Sequence, residues 1–564
     1  MSFSLKSWSS GSMTDAYAYF GCRLDSSGAV FRVWAPGARE ACVTGSFCGW
    51  EDRRYPMEEI SPGLFSCTVQ GVAQYDTYKF VWTTPDGRRI FKSDPFAFHG
   101  ETPPANASKA YALGDYPWND VKWMARRKAQ GPVNLYQLHA GSFRTYAGGE
   151  PLNYRKLGEE LIPYLKKLGC THAAFLSLLE HMDGDSAGEK TTGFFALTSR
   201  YGVPNDFRQA VDQLHQAEIG VIMDWNPAGF PVDDFGLSDF AGQPYWEAPG
   251  QEGDFRFFDF ERPEVRSFLL SSACFLLDAF HLDGLRIPRA GEIAERPGGA
   301  AFLRKLNQVI RRKFPTVLTI GAGNGLGFSL RPDPEAAWSI FGMAAGTPGN
   351  LPAFREGSLL ELDAGEVRQC SIIGRMPGSY DEKFARFRAG AACFRLMPGS
   401  KLSMMGNEFA QFSPWRPGQE LDWVLLDYEM HRKCLTLLRN LNDFCRKNSA
   451  VRWEAKKSYE TLPLPDGLCG YVRTDEAGNR IFVLSNFTGQ AANRLTIGVD
   501  RRGKYAELFN TDEAQYGGEG RAAGVNFAKL KPADGKPYCI ELDLPPFTTV
   551  YLYKAAGAKA PKRV

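Results

Sequence analysis

NYRKLGEELIPYLKKLGCTHAAFLS, residues 153–177, carries the local pattern that recurs through the middle of the chain. An amphipathic stretch (153–169) ends at a glycine, and a short apolar run (171–177) follows. Helical periodicity giving way to a buried strand is the mark of a βα unit in a parallel sheet. Outward from it, NLYQLH (134–139), GVIMDW (220–225), GLRI (284–287), TVLTIG (316–321), LLELD (359–363) and KLSMMG (401–406) are further apolar runs ending in polar residues or glycine. PEVRSFLLSSACFLLDAF (263–280) and GGAAFLRKLNQVIRRKF (298–314) supply more amphipathic stretches. Seven strands are readable and AWSIFG (337–342) is taken as a weaker eighth, so the pattern predicts a (β/α)8 TIM barrel over 131–449.

Both flanks read as β. Alternating runs such as AVFRVWAP, EACVTGSF and TYKFVWTT, with turn signals between them, predict a β-sandwich over 15–110. CGYVRT, RIFVLSNF, KYAELFN and TTVYLYK predict a second sandwich over 450–555. Residues 1–14 are left as an N-terminal extension, 111–130 as a linker, and 556–564 as a disordered tail.

Bulk properties narrow the functions. A net charge of +2 among 564 residues leaves no electrostatic footprint for nucleic acid or an anionic membrane. No stretch approaches the ~20 apolar residues of a membrane span. The first twenty residues lack the apolar run of a secretory signal, and the 12 cysteines form no C-x-x-C pair, which together predict a cytoplasmic protein with free thiols. Seven histidines without ligand spacing predict no metal and no other cofactor. An aromatic share of 13% suits sugar stacking, although large cores use the same residues.

FRVWAPGAREACVTGSFCGWEDRRYPM (31–57), SDPFAF (93–98), TSRYGVPNDFRQAVDQLHQAEIGVIMDW (198–225), FPVDDFGL (230–237), MMGNEFAQ (404–411), Trp415, LDWVLL (421–426), SNFTG (485–489) and LPPFTTVYLY (544–553) resemble, in order, glycogen (1,4-alpha-glucan) branching enzymes of the α-amylase superfamily. The first sandwich is similar to a carbohydrate-binding module of family 48. The resemblance implies a retaining glycosyl transfer from α-1,4 to α-1,6 linkages. That reaction needs a nucleophile, an acid/base and a third carboxylate at the C-terminal ends of the barrel strands.

At those strand ends the chain departs from the family pattern. In HLDGLRIPRA (281–290), Asp283-Gly284-Leu285-Arg286 keeps register and Pro288 stands at the nucleophile position. A proline offers no nucleophilic atom for a covalent glycosyl intermediate. In TIGAGNG (319–325), Ala322 stands at the acid/base position, and no carboxylate lies between Phe314 and Asp333. In DWNPAGF (224–230), Asp224 is kept and Gly229 replaces a sugar-binding histidine. Asp363 keeps the third carboxylate, Leu362 replaces the histidine before it, and Glu189 replaces a sugar-stacking tyrosine. Asp224, Arg286 and Asp363 are thus relics of a sugar site, or a charge network supporting the barrel mouth. Glu408 and Gln411 are expected to tie strand eight to its neighbours, and Met404 and Met405 to be core. Trp50 and Trp82 of the first sandwich either stack on glucan or pack that module. Asp185, Glu189 and Lys190 are the residues from which a replacement acid/base set would have to come.

These residues predict a catalytically inactive homologue, an α-glucan-binding or regulatory protein of glycogen metabolism. Its ligand would be glycogen or a maltooligosaccharide, and a protein partner would be an active glucan enzyme. The alternative is an active 1,4-alpha-glucan branching enzyme using carboxylates elsewhere. A third reading, new hydrolytic or transfer chemistry on the same barrel, has no residue to recommend it.

Overall fold

The structure, a computed structural model, describes residues 3–84, 87–127, 133–182, 187–250, 253–362, 364–448 and 459–554. Eight short strands follow one another in the central region: β1 (Asn134–Leu138), β2 (His172–Phe175), β3 (Gly220–Asp224), β4 (Gly284–Ile287), β5 (Leu318–Gly321), β6 (Arg331–Pro332), β7 (Ser358–Leu362) and β8 (Ser400–Met404). The chain divides into two compact units. One comprises residues 1–130, 138–162 and 173–329; the other comprises 131–137, 163–172 and 330–564.

The first unit joins the N-terminal sandwich to β3–β5 and to β2 from Ala173 onward. The sandwich is an antiparallel sheet whose strands alternate buried and half-exposed positions, as in Gly28–Trp34, where Phe31 and Val33 point inward. The N-terminal segment does not hang free. Trp8, wholly buried, packs on Phe20 and Trp34 with ring centroids 5.0 and 5.5 Å away. Helix Pro263–Ala279 holds the same segment through the Ser267 hydroxyl, which donates to the Trp8 carbonyl at 2.9 Å. Phe96, Phe195 and Phe268 form a mutually contacting trio, so sandwich and barrel residues of this unit share one aromatic core. β3, β4 and β5 are parallel neighbours, with Asp224 opposite Arg286 and Ile287 opposite Gly321.

The segment predicted to be a linker is structured in part and anchored by charge. Helix Val121–Arg126 follows Asp120, whose Oδ2 accepts from the Nδ1 atoms of both His215 and His281 at 2.8 Å. His215 Nε2 donates to Asp283 Oδ2 at 2.9 Å, and Trp123 Nε1 donates to Asp283 Oδ1 at 2.8 Å. The backbone N–H of Val221 completes Asp283, and Arg127 approaches it at 3.6 Å. With a carboxylate on each nitrogen, His215 is held as an imidazolium. Burial opposes that charge, but the hydrogen bonds and charges of Asp120 and Asp283 outweigh it and raise the His215 pKa.

A raised folded-state pKa gives stability that is complete below the unfolded histidine value of ~6.5 and lost as pH rises through the folded value. The same hydrogen bonds win over burial to depress the Asp120 pKa, so its contribution is lost only in acid. The thermal midpoint of the first unit should therefore fall as pH rises above ~6.5. Calorimetry on His215→Gln should show a lower midpoint and a flatter pH profile. A variant profile as steep as that of the parent chain would remove His215 as the source.

The second unit carries β1 as far as Gln137 with β8, β7 and β6. β1 pairs with β8, β8 with β7 and β7 with β6, all parallel. AWSIFG is not a strand. It lies in helix Pro334–Ala344, started by the Asp333 side chain accepting from the Ala336 N–H and by proline at the first turn. An apolar run of six fits a buried helix as well as a strand, and here helix capping decides. The sixth strand is only Arg331–Pro332. Helix Tyr380–Leu396 begins with a capping box in which Ser379 and Glu382 satisfy each other's backbone N–H. The C-terminal strands dock on it by side chains: Thr549, Tyr471 and Tyr551 hydroxyls donate to the carbonyls of Ala389, Cys393 and Ala392.

In this unit Glu408 is buried and accepts from the hydroxyls of Tyr136 and Tyr164, while Gln411 binds the Ser413 carbonyl and the Asp422 N–H. Both residues thus hold loops and strands together, and Met404 and Met405 are core. All twelve cysteines are free thiols. The tail, 556–564, lies outside the described residues.

Candidate functional site

The candidate site of the first unit is the C-terminal ends of β3, β4 and β5, where a barrel of this kind carries its chemistry. Asp224 closes β3 and Arg286 sits beside it on β4. Their ion pair, Nη1 to Oδ2 at 2.8 Å, is about nine-tenths or more buried on both sides. The pair is a charge-assisted hydrogen bond through one oxygen of the carboxylate. The structure thus brings two of the three sequence-predicted binding residues together as a buried ion pair. Asp363, the third, lies outside the described residues.

Pro288 follows β4 as an exposed turn residue, and Ala322 follows β5, half-buried and without a polar side chain. What surrounds them was not foreseen. Gly229 belongs to a short strand, Gly229–Pro231, paired antiparallel with Phe255–Phe257. A Cβ at 229 would lie 1.9 Å from the Arg256 carbonyl oxygen. The main chain of 255–257 thus occupies the space that a histidine at 229 would use. Arg289, next after Pro288, sets its guanidinium 4.8 and 4.9 Å from the rings of Phe255 and Phe257. Arg296 sits over the Phe257 ring at 3.2 Å, and Glu292 pairs with Arg289. The two rings lie 5.3 Å apart, edge to face. This cation–aromatic cluster holds the hairpin against the strand ends.

At β5 the following loop folds back. A Cβ on Gly321 would meet the Phe328 ring at 2.6 Å, and Asn307 Nδ2 donates to the Leu326 carbonyl at 3.0 Å. The loop packs on its own strand and helix. After β2 the side chain of Glu189 is exposed, its carbonyl accepts from Asn226 Nδ2 at 3.2 Å, and Lys190 pairs with Asp254. Glu180 in the same hairpin is buried beneath donors from Thr198, Ser199 and Arg200. These contacts assemble no acid/base set from Glu189 and Lys190, and Asp185 lies outside the described residues. Among the described residues no cluster of three or more histidine, cysteine or carboxylate side chains could hold a metal.

Sequence reasoning missed Phe255, Phe257, Arg289 and Arg296. The alternation in DFRFFDF (254–260) marks a strand, but only the fold shows that it pairs with 229–231.

Comparison with known proteins agrees with this architecture. Residues 19–97 match the family model "Carbohydrate-binding module 48 (Isoamylase N-terminal domain)", and 466–555 match "Alpha amylase, C-terminal all-beta domain". The chain is 34% identical to the 1,4-alpha-glucan branching enzyme GlgB of Bacillus caldolyticus, covering 95% of this chain and 89% of that protein. It is 35% identical to GlgB of Aquifex aeolicus over 93% of each. Among solved structures, apo pullulanase of Paenibacillus barengoltzii superposes with a TM-score of 0.75 at 17% identity, covering 95% of both chains. Pullulanase type I of Bacillus subtilis, solved with maltose, gives 0.74 at 17% identity over 95% of this chain and 85% of that one. The fold expected from sequence is thereby shown: a central TIM barrel between two β domains.

Proposed function

We propose, from the premise that this chain belongs to the 1,4-alpha-glucan branching enzyme family, that it is a catalytically inactive member which binds α-glucan or regulates an active glucan enzyme. The observation that carries the reading is the strand-end arrangement of β3–β5. By the family resemblance Pro288 and Ala322 take the positions of the nucleophile and the acid/base, and the main chain of 255–257 blocks a side chain at Gly229, where the family carries a sugar-binding histidine. A retaining transfer needs two carboxyl groups ~5 Å apart on either side of the scissile bond. Of the carboxylates at these strand ends, Asp224 pairs with Arg286 and Glu292 with Arg289. Loss of a nucleophile costs about a millionfold in turnover where it has been measured in other hydrolytic enzymes.

The test is amylose incubation at high protein concentration, followed by the iodine-complex spectrum, with glycogen co-sedimentation in parallel. An unchanged spectrum with co-sedimentation supports the reading. The rival, an active branching enzyme, draws on the identity of about one third along nearly the whole chain. A spectral shift that persists through repurification establishes that rival. A protein that neither shifts the spectrum nor sediments leaves the regulatory form of the proposal, to be judged by pull-down of an active glucan enzyme from its own cells.

A further inference from the structure

A groove of about 630 Å³ opens on the first unit, lined among others by Tyr17, Arg23, Phe98, Tyr116, Trp118 and Asp278. The Trp118 ring stacks on His281 at 3.8 Å and 12°. His281 precedes β4, so the groove adjoins the end of that strand opposite Pro288. We propose that this groove binds a short run of α-glucan, as a carbohydrate site separate from the strand ends. The proposal rests on the glucan-binding reading above and gives that binding a place.

Size, walls and rim all suit such a ligand. The volume falls within the ~300–1,000 Å³ of ordinary ligand pockets. The walls are rigid aromatics: Phe98 lies flat on Phe275 at 4.9 Å and 4°, and Tyr17 tilts over Phe275 at 5.0 Å. Tyr116 meets Trp118 edge to face at 4.8 Å. Phe98 and Phe275 are covered by each other and by Arg23 and build the wall, while Trp118, backed by His281, is the ring placed to accept the C–H face of a sugar.

The cations of the groove are already committed. Arg208 donates to the carbonyls of Leu113, Gly114 and Ala279, fixing the wall of residues 113–118 to the helix end. Arg23 lies over Phe98 and donates to the carbonyls of Cys22 and Tyr17. On the rim stand two exposed carboxylates, Asp115 and Asp278. Spent guanidinium groups and exposed acids disfavour an anionic ligand. Carboxylate acceptors above aromatic faces suit a neutral ligand rich in hydroxyl donors.

The experiment is titration calorimetry of the full chain with maltoheptaose. Four proteins are compared: the parent, Asp278→Asn, Trp118→Ala, and Trp50→Ala as a variant of the exposed tryptophan in the N-terminal module. Asp278→Asn should weaken binding about tenfold by removing a charged acceptor, with an unchanged thermal midpoint. Trp118→Ala should weaken it at least as much, and Trp50→Ala should leave the groove's binding in place. Parent-like affinity in both groove variants overturns the location and leaves the glucan reading standing. A parent chain that binds neither maltoheptaose nor glycogen sinks the glucan reading, and this assignment with it.

Discussion

Asp283→Ala is expected to destabilise the first unit by about 3–5 kcal/mol, the usual effect of removing one partner from a buried ion pair. The substitution strands His215 as a buried imidazolium with one carboxylate. It also leaves Trp123 Nε1 and the Val221 N–H without their acceptor. Asp283→Asn should cost less, because an amide oxygen still accepts from one of these donors. Differential scanning calorimetry is the appropriate readout, since a chain of two compact units need not unfold in one step. An alanine variant melting with the parent chain would show that the network adds nothing net to stability.

That network illustrates what a sequence conceals. Asp283 was legible only as a letter of HLDGLR, and His215 and His281 as histidines without ligand spacing. Asp120 lies 95 and 161 positions from the two histidines it joins, and no local pattern announces such a meeting. The barrel strands were legible because period and length are local properties. β6 was not, because two residues have no period, and a buried helix nearby imitated a strand. The candidate site divides in the same way. A departure from a family pattern is read from the letters alone, so Pro288 and Ala322 stood out at once as the expected nucleophile and acid/base positions. What took up the vacated space could not be read so, because residues 229–231 meet 255–257 only through nonlocal pairing.

Pro288→Asp with Ala322→Glu should yield no measurable branching, with turnover still about a thousandfold or more below that of an active relative. Both carboxylates would then stand at the expected positions, but the groups that orient a sugar against them would still be missing. Adding Gly229→His should lower stability rather than restore activity, because a Cβ at that position collides with a carbonyl 1.9 Å away. Radiolabelled amylose transfer measures the first effect and thermal denaturation the second. Near-normal branching by the double variant would mean that the hairpin does not obstruct the cleft.

The hairpin also gives the changes at this site a direction in time. A side chain can return to position 229 only after residues 255–257 have moved. Those residues are held by Arg289 and Arg296, which must let go first. Each of these steps taken alone gives up contacts present in the structure. On the proposed inactive reading the cleft behaves as a ratchet: restoring the catalytic letters alone leaves the hairpin and its two arginine clamps in place.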